Sequence, residues 1–211
     1  KKYQFSINIF RTNLKDKIQF SPADDEVKKF GYSYQWENVD DAYVQGVELG
    51  AKANLFRNFN AGINWTFNQG KFKHERADWS DPNDETVKEF PQRLQYAKDS
   101  RNISRFPAMT GDIDLDYTPG TWTFSLTSSL QGRMFIDYNS EDDGVTSKIK
   151  KTNTFMIFNC RAAKRFGTCT VYAGAKNIFS YIQDEKHTDD AAFMYAPVYG
   201  ATWYVGLSVK L

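Results

Sequence analysis

The sequence predicts an all-β protein: an antiparallel up-and-down transmembrane β-barrel segment of about eight strands, with short periplasmic turns at one end and long extracellular loops at the other. Three observations predict it. The last stretch alternates without a miss, with Trp203, Val205, Leu207, Val209 and Leu211 on one face and Tyr204, Gly206, Ser208 and Lys210 on the other. That is the period-2 signature of a strand with one apolar side. Mean hydropathy is −0.61 although aromatics make up 16% of the chain. With no run of about 18 apolar residues, this rules against a helical membrane protein and suits strands whose apolar and polar residues cancel in any window. Finally, tight turn signals alternate with long polar stretches, the asymmetry of an outer-membrane barrel. A soluble edge strand with an apolar face would template aggregation. Closing the sheet with that face outward removes the hazard.

The elements follow in order. Tyr3, Phe5, Ile7 and Ile9 alternate with Gln4, Ser6 and Asn8, giving a first strand that extends less regularly to Phe20. A polar loop, SPADDEVKK, follows. The second strand enters through Tyr32 to Trp36 and becomes regular at Val47, Leu49, Ala51, Ala53 and Leu55. After a turn at Arg57 to Phe59, the third strand sets Ala61, Ile63, Trp65 and Phe67 against Asn60, Gly62, Asn64, Thr66 and Asn68. Gly70 to Arg105 has no good period and reads as a long loop with one helical turn near Pro91 to Lys98. The fourth strand carries Ile113, Leu115 and Tyr117 against Asp112, Asp114 and Asp116. Pro119-Gly120 is a turn dipeptide, since proline presets φ and glycine tolerates a positive one. The fifth strand, with Trp122, Phe124, Leu126, Ser128 and Leu130 on one face, runs on to about Tyr138, and the loop NSEDDGVTSK follows. The sixth strand spans Asn153 to Arg165, the turn lies at Phe166-Gly167, and the seventh runs from Cys169 to about Tyr181. A third loop covers about Asp184 to Pro197 before the terminal strand.

Register tests this reading, because residues on one face must stay there across a hairpin. A two-residue turn at Pro119-Gly120 pairs Tyr117 with Trp122. A three-residue turn at Arg57 to Phe59 brings Leu55 near Ala61. A two-residue turn at Phe166-Gly167 pairs Lys164 with Cys169. Each keeps a consistent outer face, the last setting Met156, Phe158, Cys160 and Ala162 on one face with Val171, Ala173 and Ala175. The last also sets Cys160 and Cys169 about 13 Å apart at strand rise, beyond the roughly 7 Å that a disulfide spans. Two free, lipid-facing thiols are expected.

At 211 residues and a net charge of +1, the chain has one domain's length and no field suited to nucleic acid. Its opening, KKYQFSINIF, has no apolar core or cleavage site of a signal peptide and already reads as a strand. Residues 1–211 are therefore expected to be the C-terminal part of an outer-membrane β-barrel, with plug domain and earlier strands absent.

The inward Asp112, Asp114 and Asp116 read as a cation ladder or, much better, as a solvated wall. Gly50, Gly62, Gly174 and Gly206 fall on the same face, through close approach of a plug or through bends of a curved sheet. Candidate ligand-binding residues are the loop aromatics Trp79, Tyr96, Phe193 and Tyr195, which supply contact area at low entropic cost. The segment AAFMYAPVY, residues 191–199, holds the last two, and its Tyr199 reads better as an interface anchor. His74 and His187 both sit in loops and cannot supply a zinc set of about four ligands. No nucleophile elbow, HExxH or P-loop is present. No catalytic residue, metal site or cofactor is expected.

Three places carry a family resemblance. They are Asn38-Val39 with Ala42 and Gly46-Val47-Glu48-Leu49, then Arg105-Phe106-Pro107 before an alternating strand, and Gly174-Ala175-Lys176-Asn177-Ile178-Phe179 followed by Tyr199-Gly200 and the last strand. In this order the chain resembles the C-terminal third of TonB-dependent outer-membrane receptors, of the kind common in Bacteroidetes. It departs in ending on Leu211, where the family usually has an aromatic. The resemblance implies a barrel in the outer membrane of a bacterium, surrounded by lipid. It also implies a plug upstream that contacts TonB, and active uptake of a small, scarce nutrient: iron chelate, haem, cobalamin or glycan. An autonomous eight-stranded barrel with a structural or adhesion role is the alternative. Its interior would have to be filled by side chains, and the Gly, Ser, Thr and Asn of the inward face fill space poorly. A barrel enzyme ranks last, because neither histidine has a credible partner in sequence.

Overall fold

The computed structural model describes residues 2–23, 25–138, 148–183 and 196–210. Eight strands form one antiparallel sheet: β1 (Tyr3–Pro22), β2 (Tyr34–Phe56), β3 (Phe59–Phe72), β4 (Met109–Tyr117), β5 (Trp122–Gln131), β8 (Phe155–Phe166), β9 (Cys169–Lys176) and β10 (Thr202–Val209), in that spatial order. β6 (Phe135–Tyr138) and β7 (Lys148–Lys151) form a separate two-stranded ribbon. β1 and β10 are the two edges and do not pair with each other. All three short turns lie at one end of the sheet, and the long connections lie at the other.

The alternation read from the sequence decides the two faces. Trp203 and Val205 are 77% and 80% exposed, and Phe5, Ile7 and Ile9 are as open on the other edge strand. An apolar face this bare is unusual for a protein in water and ordinary for one in lipid. Its lower border is a run of rings next to the turns: Phe56 stacks on Phe59 at 4.7 Å, Tyr117 lies 6.4 Å from both Phe59 and Phe124, and Trp122 stacks on Phe124 at 5.6 Å. Its upper border is polar: Arg11 donates to Gln45 at 3.0 Å, and Gln45 donates to Gln69 at 2.9 Å. Between Gln45 and Phe56 lie about as many residues as a tilted strand needs to cross a bilayer. β1 and β2 continue far above this belt, paired to Pro22↔Tyr34, with a bulge between Leu14 and Lys17 where Asp16 takes φ 49°.

The faces are as expected, but the three turn registers each differ by two residues. Ala53, not Leu55, pairs with Ala61, because the β2–β3 turn is Arg57-Asn58 with Asn58 at φ 67° and a bulge absorbs Leu55. Tyr117 pairs with Phe124, not Trp122, because the turn extends through Thr121, with the Trp122 amide donating to the Pro119 carbonyl. Phe166, not Lys164, pairs with Cys169, because Gly167 (φ 61°) and Thr168 form the turn. A two-residue slip preserves side-chain parity, so the strands keep their faces, and only at the Leu55 bulge does the alternation skip, bringing Phe56 opposite Phe59 on the apolar side. Both thiols are free. Cys169 is six residues, about 20 Å, from the level of Cys160 rather than four.

Three boundaries also differ. The fifth strand ends at Gln131, not near Tyr138. There the backbone turns away, with Gly132 donating to Met109 and Thr152 and Met134 bonded reciprocally through backbone and hydroxyl. Met134 and Phe155 are buried together against Ile157, Tyr181 and Ala196. The seventh strand ends at Lys176, because Asn177 and Ser180 adopt φ of 50° and 53°. The third strand runs on to Phe72, and the stretch behind it holds short helical segments at Ala77–Ser80, Glu85–Glu89, Pro91–Tyr96 and Asp99–Arg101 rather than one turn.

Candidate functional site

Two surfaces can meet a solute: the inward wall and the loop module above it. On the wall, Asp112, Asp114 and Asp116 lie opposite Asn64, Gly62 and Asn60 of β3 and Ser129, Thr127 and Ser125 of β5. Ser125 donates to Asp116 at 2.6 Å, Asn54 to Asn60 at 2.9 Å, Asn8 to Glu48 at 3.0 Å and Asn159 to Thr127 at 3.3 Å. Asp112 and Asp114 are exposed. This is a short-chain polar lattice with its carboxylates in reach of water, the character of a hydrated lumen.

Two of the inward glycines serve their own wall. A Cβ at Gly206 would overlap the ring of Tyr172, and one at Gly174 would overlap the ring of Tyr204. Each ring covers the glycine directly across the β9–β10 ladder. The two tyrosines meet edge to face at 6.3 Å, and Arg161 lies over Tyr172 at 4.5 Å. The hollow read as room for a plug is filled here by neighbouring aromatics.

The loop module is built around a cation. Arg93 is 6% exposed and sits 4.6 Å over the Trp79 ring. It donates to the Asp78 carbonyl at 2.9 Å and to Asp78 Oδ2 at 3.2 Å. Arg76 grips the same carboxylate through Nε at 3.0 Å and Nη2 at 2.9 Å. Burial pulls the Arg93 pKa below its ordinary value, and Asp78 opposes that pull. The group remains charged in any case, so Asp78 is what makes its burial tolerable. The module is tied to the wall by Asp40, which accepts from the His74 amide at 2.7 Å and faces the His74 ring at 3.1 Å. Burial would raise the Asp40 pKa, but the bonds from His74 and the Asp41 amide outweigh it and hold it low.

The structure brings Trp79 and Tyr96 together, edge to face at 6.3 Å. Trp79 is 2% exposed, so its ring is the module's core, while Tyr96 is half-buried beside it. Phe193, Tyr195 and His187 lie outside the described residues. Tyr199 is 80% exposed. Sequence reading missed Arg93, whose partners Asp78 and Trp79 are 15 and 14 positions away. It also gave no role to Asn177. That residue is 6% exposed and accepts from the Tyr181 amide at 2.9 Å. It donates to the carbonyls of Tyr181 at 2.7 Å and Tyr199 at 3.2 Å. Its own amide donates to Asn159 at 3.0 Å. Besides its place in the Gly174–Phe179 motif, the signal was an asparagine directly after an alternating run, a residue type that tolerates the left-handed conformation.

Comparison with known proteins agrees with this architecture. A family model described as "TonB dependent receptor-like, beta-barrel" matches residues 1–178. Among solved structures, the copper transporter OprC superposes with a TM-score of 0.64 at 20% identity, over 98% of this chain and 28% of its own. The ferric citrate transporter FecA gives 0.64 at 17%, over 97% and 28%. The outer membrane transporter YddB from Escherichia coli gives 0.60 at 14%, over 100% and 31%. At these identities the likeness is one of fold. The chain spans under a third of the length of each of these three.

Proposed function

Because the chain belongs to the TonB-dependent receptor β-barrel family, we propose that it forms the C-terminal wall and part of the extracellular mouth of an outer-membrane active-transport receptor. Receptors of this family work with TonB and small nutrient ligands. Here the outward face meets lipid, the inward face meets water and an upstream plug, and energy arrives through a TonB contact made by that plug. The cargo is a scarce small nutrient of the iron-chelate, haem, cobalamin or glycan kind. The names of the similar structures, a copper and a ferric citrate transporter among them, support a small nutrient of this sort. In this reading the protein carries cargo and has no catalytic step. Trp79 and Tyr96 shape the mouth by holding its loop module rigid, and Phe193 and Tyr195 line it.

The observation that carries this reading is the open sheet. Eight strands with an apolar outer face end in two unpaired edges, as a section of a larger barrel must. The autonomous eight-stranded barrel would need β1 against β10 and bulky inward side chains. The test uses the full-length gene product in its native membrane. Cysteines at Ile9 and Val205 should fail to crosslink with each other, while Val205→Cys should crosslink to a strand upstream of residue 1. A crosslink between Ile9→Cys and Val205→Cys would replace the receptor reading with the small barrel.

A further inference from the structure

Among the described residues, the outward face of the bilayer-crossing band carries one charge below the Arg11–Gln45–Gln69 belt, and it lies at the aromatic border. It is Lys164 of β8, which shares its face with Ala162 and Cys160 and stands opposite Trp122 and Val171. Its ammonium lies 4.8 Å over the Trp122 ring and 5.0 Å over the Phe166 ring. Among the described residues no carboxylate lies within ion-pair distance of it. The lysine stem therefore runs down the apolar wall and delivers its charge to the level of the short turns, as an interfacial lysine does.

Directly above Lys164 the wall is hollow. Cys160, Ala162 and Ala173 form a floor of small side chains, and Phe124, Leu126 and Trp203 stand on either side. The groove holds about 560 Å³ and is open to the membrane. A second hollow of similar size lies over Ala51 near the other edge, but only the Ala162–Ala173 lane has a cation next below it on the same face of its strand, Lys164.

We propose that this groove is a seat for one glycerophospholipid of the periplasmic leaflet, with an acyl chain along the Ala162–Ala173 floor and the headgroup phosphate on Lys164. The reading rests on the membrane orientation proposed above. Charge complementarity selects the occupant. A protein partner covering this groove would have to bury Lys164 against its own carboxylate within the bilayer, whereas a phospholipid presents phosphate at that depth and hydrocarbon above it.

The test is native mass spectrometry of the full-length receptor, extracted in mild detergent and titrated with phosphatidylglycerol. The wild type should retain one lipid to higher activation energy than the rest. Lys164→Gln should lose about fivefold in that occupancy, the size of one basic side chain's attraction to an anionic surface. Ala173→Phe should lose it by filling the floor. Arg11→Gln, at the upper belt, should leave it unchanged. Heat-modifiable electrophoretic mobility shows that each variant is folded. Equal retention by the wild type and both groove variants would overturn the proposal, as would a dimer whose interface is broken by Ala173→Phe. Failure of the receptor to fractionate with the outer membrane would instead overturn the orientation on which it rests.

Discussion

Asn177 shows how much one side chain can hold. Its amide and its backbone N–H together bind three other stretches of chain: β8 at Asn159, the turn at Tyr181 and the entry to the last strand. A residue without that amide leaves two carbonyls and an N–H unanswered in a buried place, at about 1–3 kcal/mol for each group that stays dry. Asn177→Ala is expected to lower stability by about 2–4 kcal/mol, read as a lower midpoint for the heat-induced gel shift of the folded barrel. Asn177→Gly, which relieves the backbone at φ 50°, should recover only a small part. If the alanine variant melts with the wild type, the clamp does not bear on stability.

At the scale of elements, the loop module and β2 meet through Asp40 and His74. Asp40 sits above the Arg11–Gln45 belt and so outside the bilayer-crossing part of its strand. Its pKa in the fold lies below the ordinary 3.8. The unfolded chain therefore takes up the proton first as pH falls. The stabilisation is complete well above 3.8 and is lost as pH drops through the lower, folded value. The thermal midpoints of wild type and Asp40→Asn should differ by a constant amount near neutral pH and converge in strong acid. A gap that widens on acidification would mean that Asp40 is not held as charged.

The elements also show what the sequence could and could not reveal. Faces were legible because alternation is a property of one strand alone. Pairings were not, because Leu55, Trp122 and Lys164 can each slide two places and still look inward or outward as before. What decides is turn conformation: the left-handed Asn58 and Gly167 and the wider loop after Thr118 leave no trace in period. The loop module was illegible for another reason. Helical segments of three to six residues are too short to show a 3.6-residue stripe. Their order comes from Arg93 finding Asp78 and Trp79, a contact between side chains and not a pattern along the chain.

For the whole molecule, inside and outside are set by the two faces of one curved layer, and substitution can read that directly. Val205 lies mid-strand on the apolar side of β10, and Ser208 on the polar side. In the full-length receptor, Val205→Arg is expected to cost about 2–4 kcal/mol as a charge near the bilayer midplane, Val209→Arg closer to zero, and Ser208→Arg little. Equilibrium unfolding from vesicles gives the three values. A flat profile along the apolar side would mean that this surface does not face hydrocarbon.

The paired tyrosines and glycines of the last hairpin have a consequence for how that hairpin finds its place. Slide β10 by two residues one way and Tyr172 meets Tyr204, two rings competing for one hollow. Slide it the other way and Gly174 meets Gly206, two hollows with nothing in them. Only the native setting gives each ring a socket. Alternation leaves the strands free to click along in steps of two. This pair of detents stops them at one step, so the final hairpin carries its own ruler.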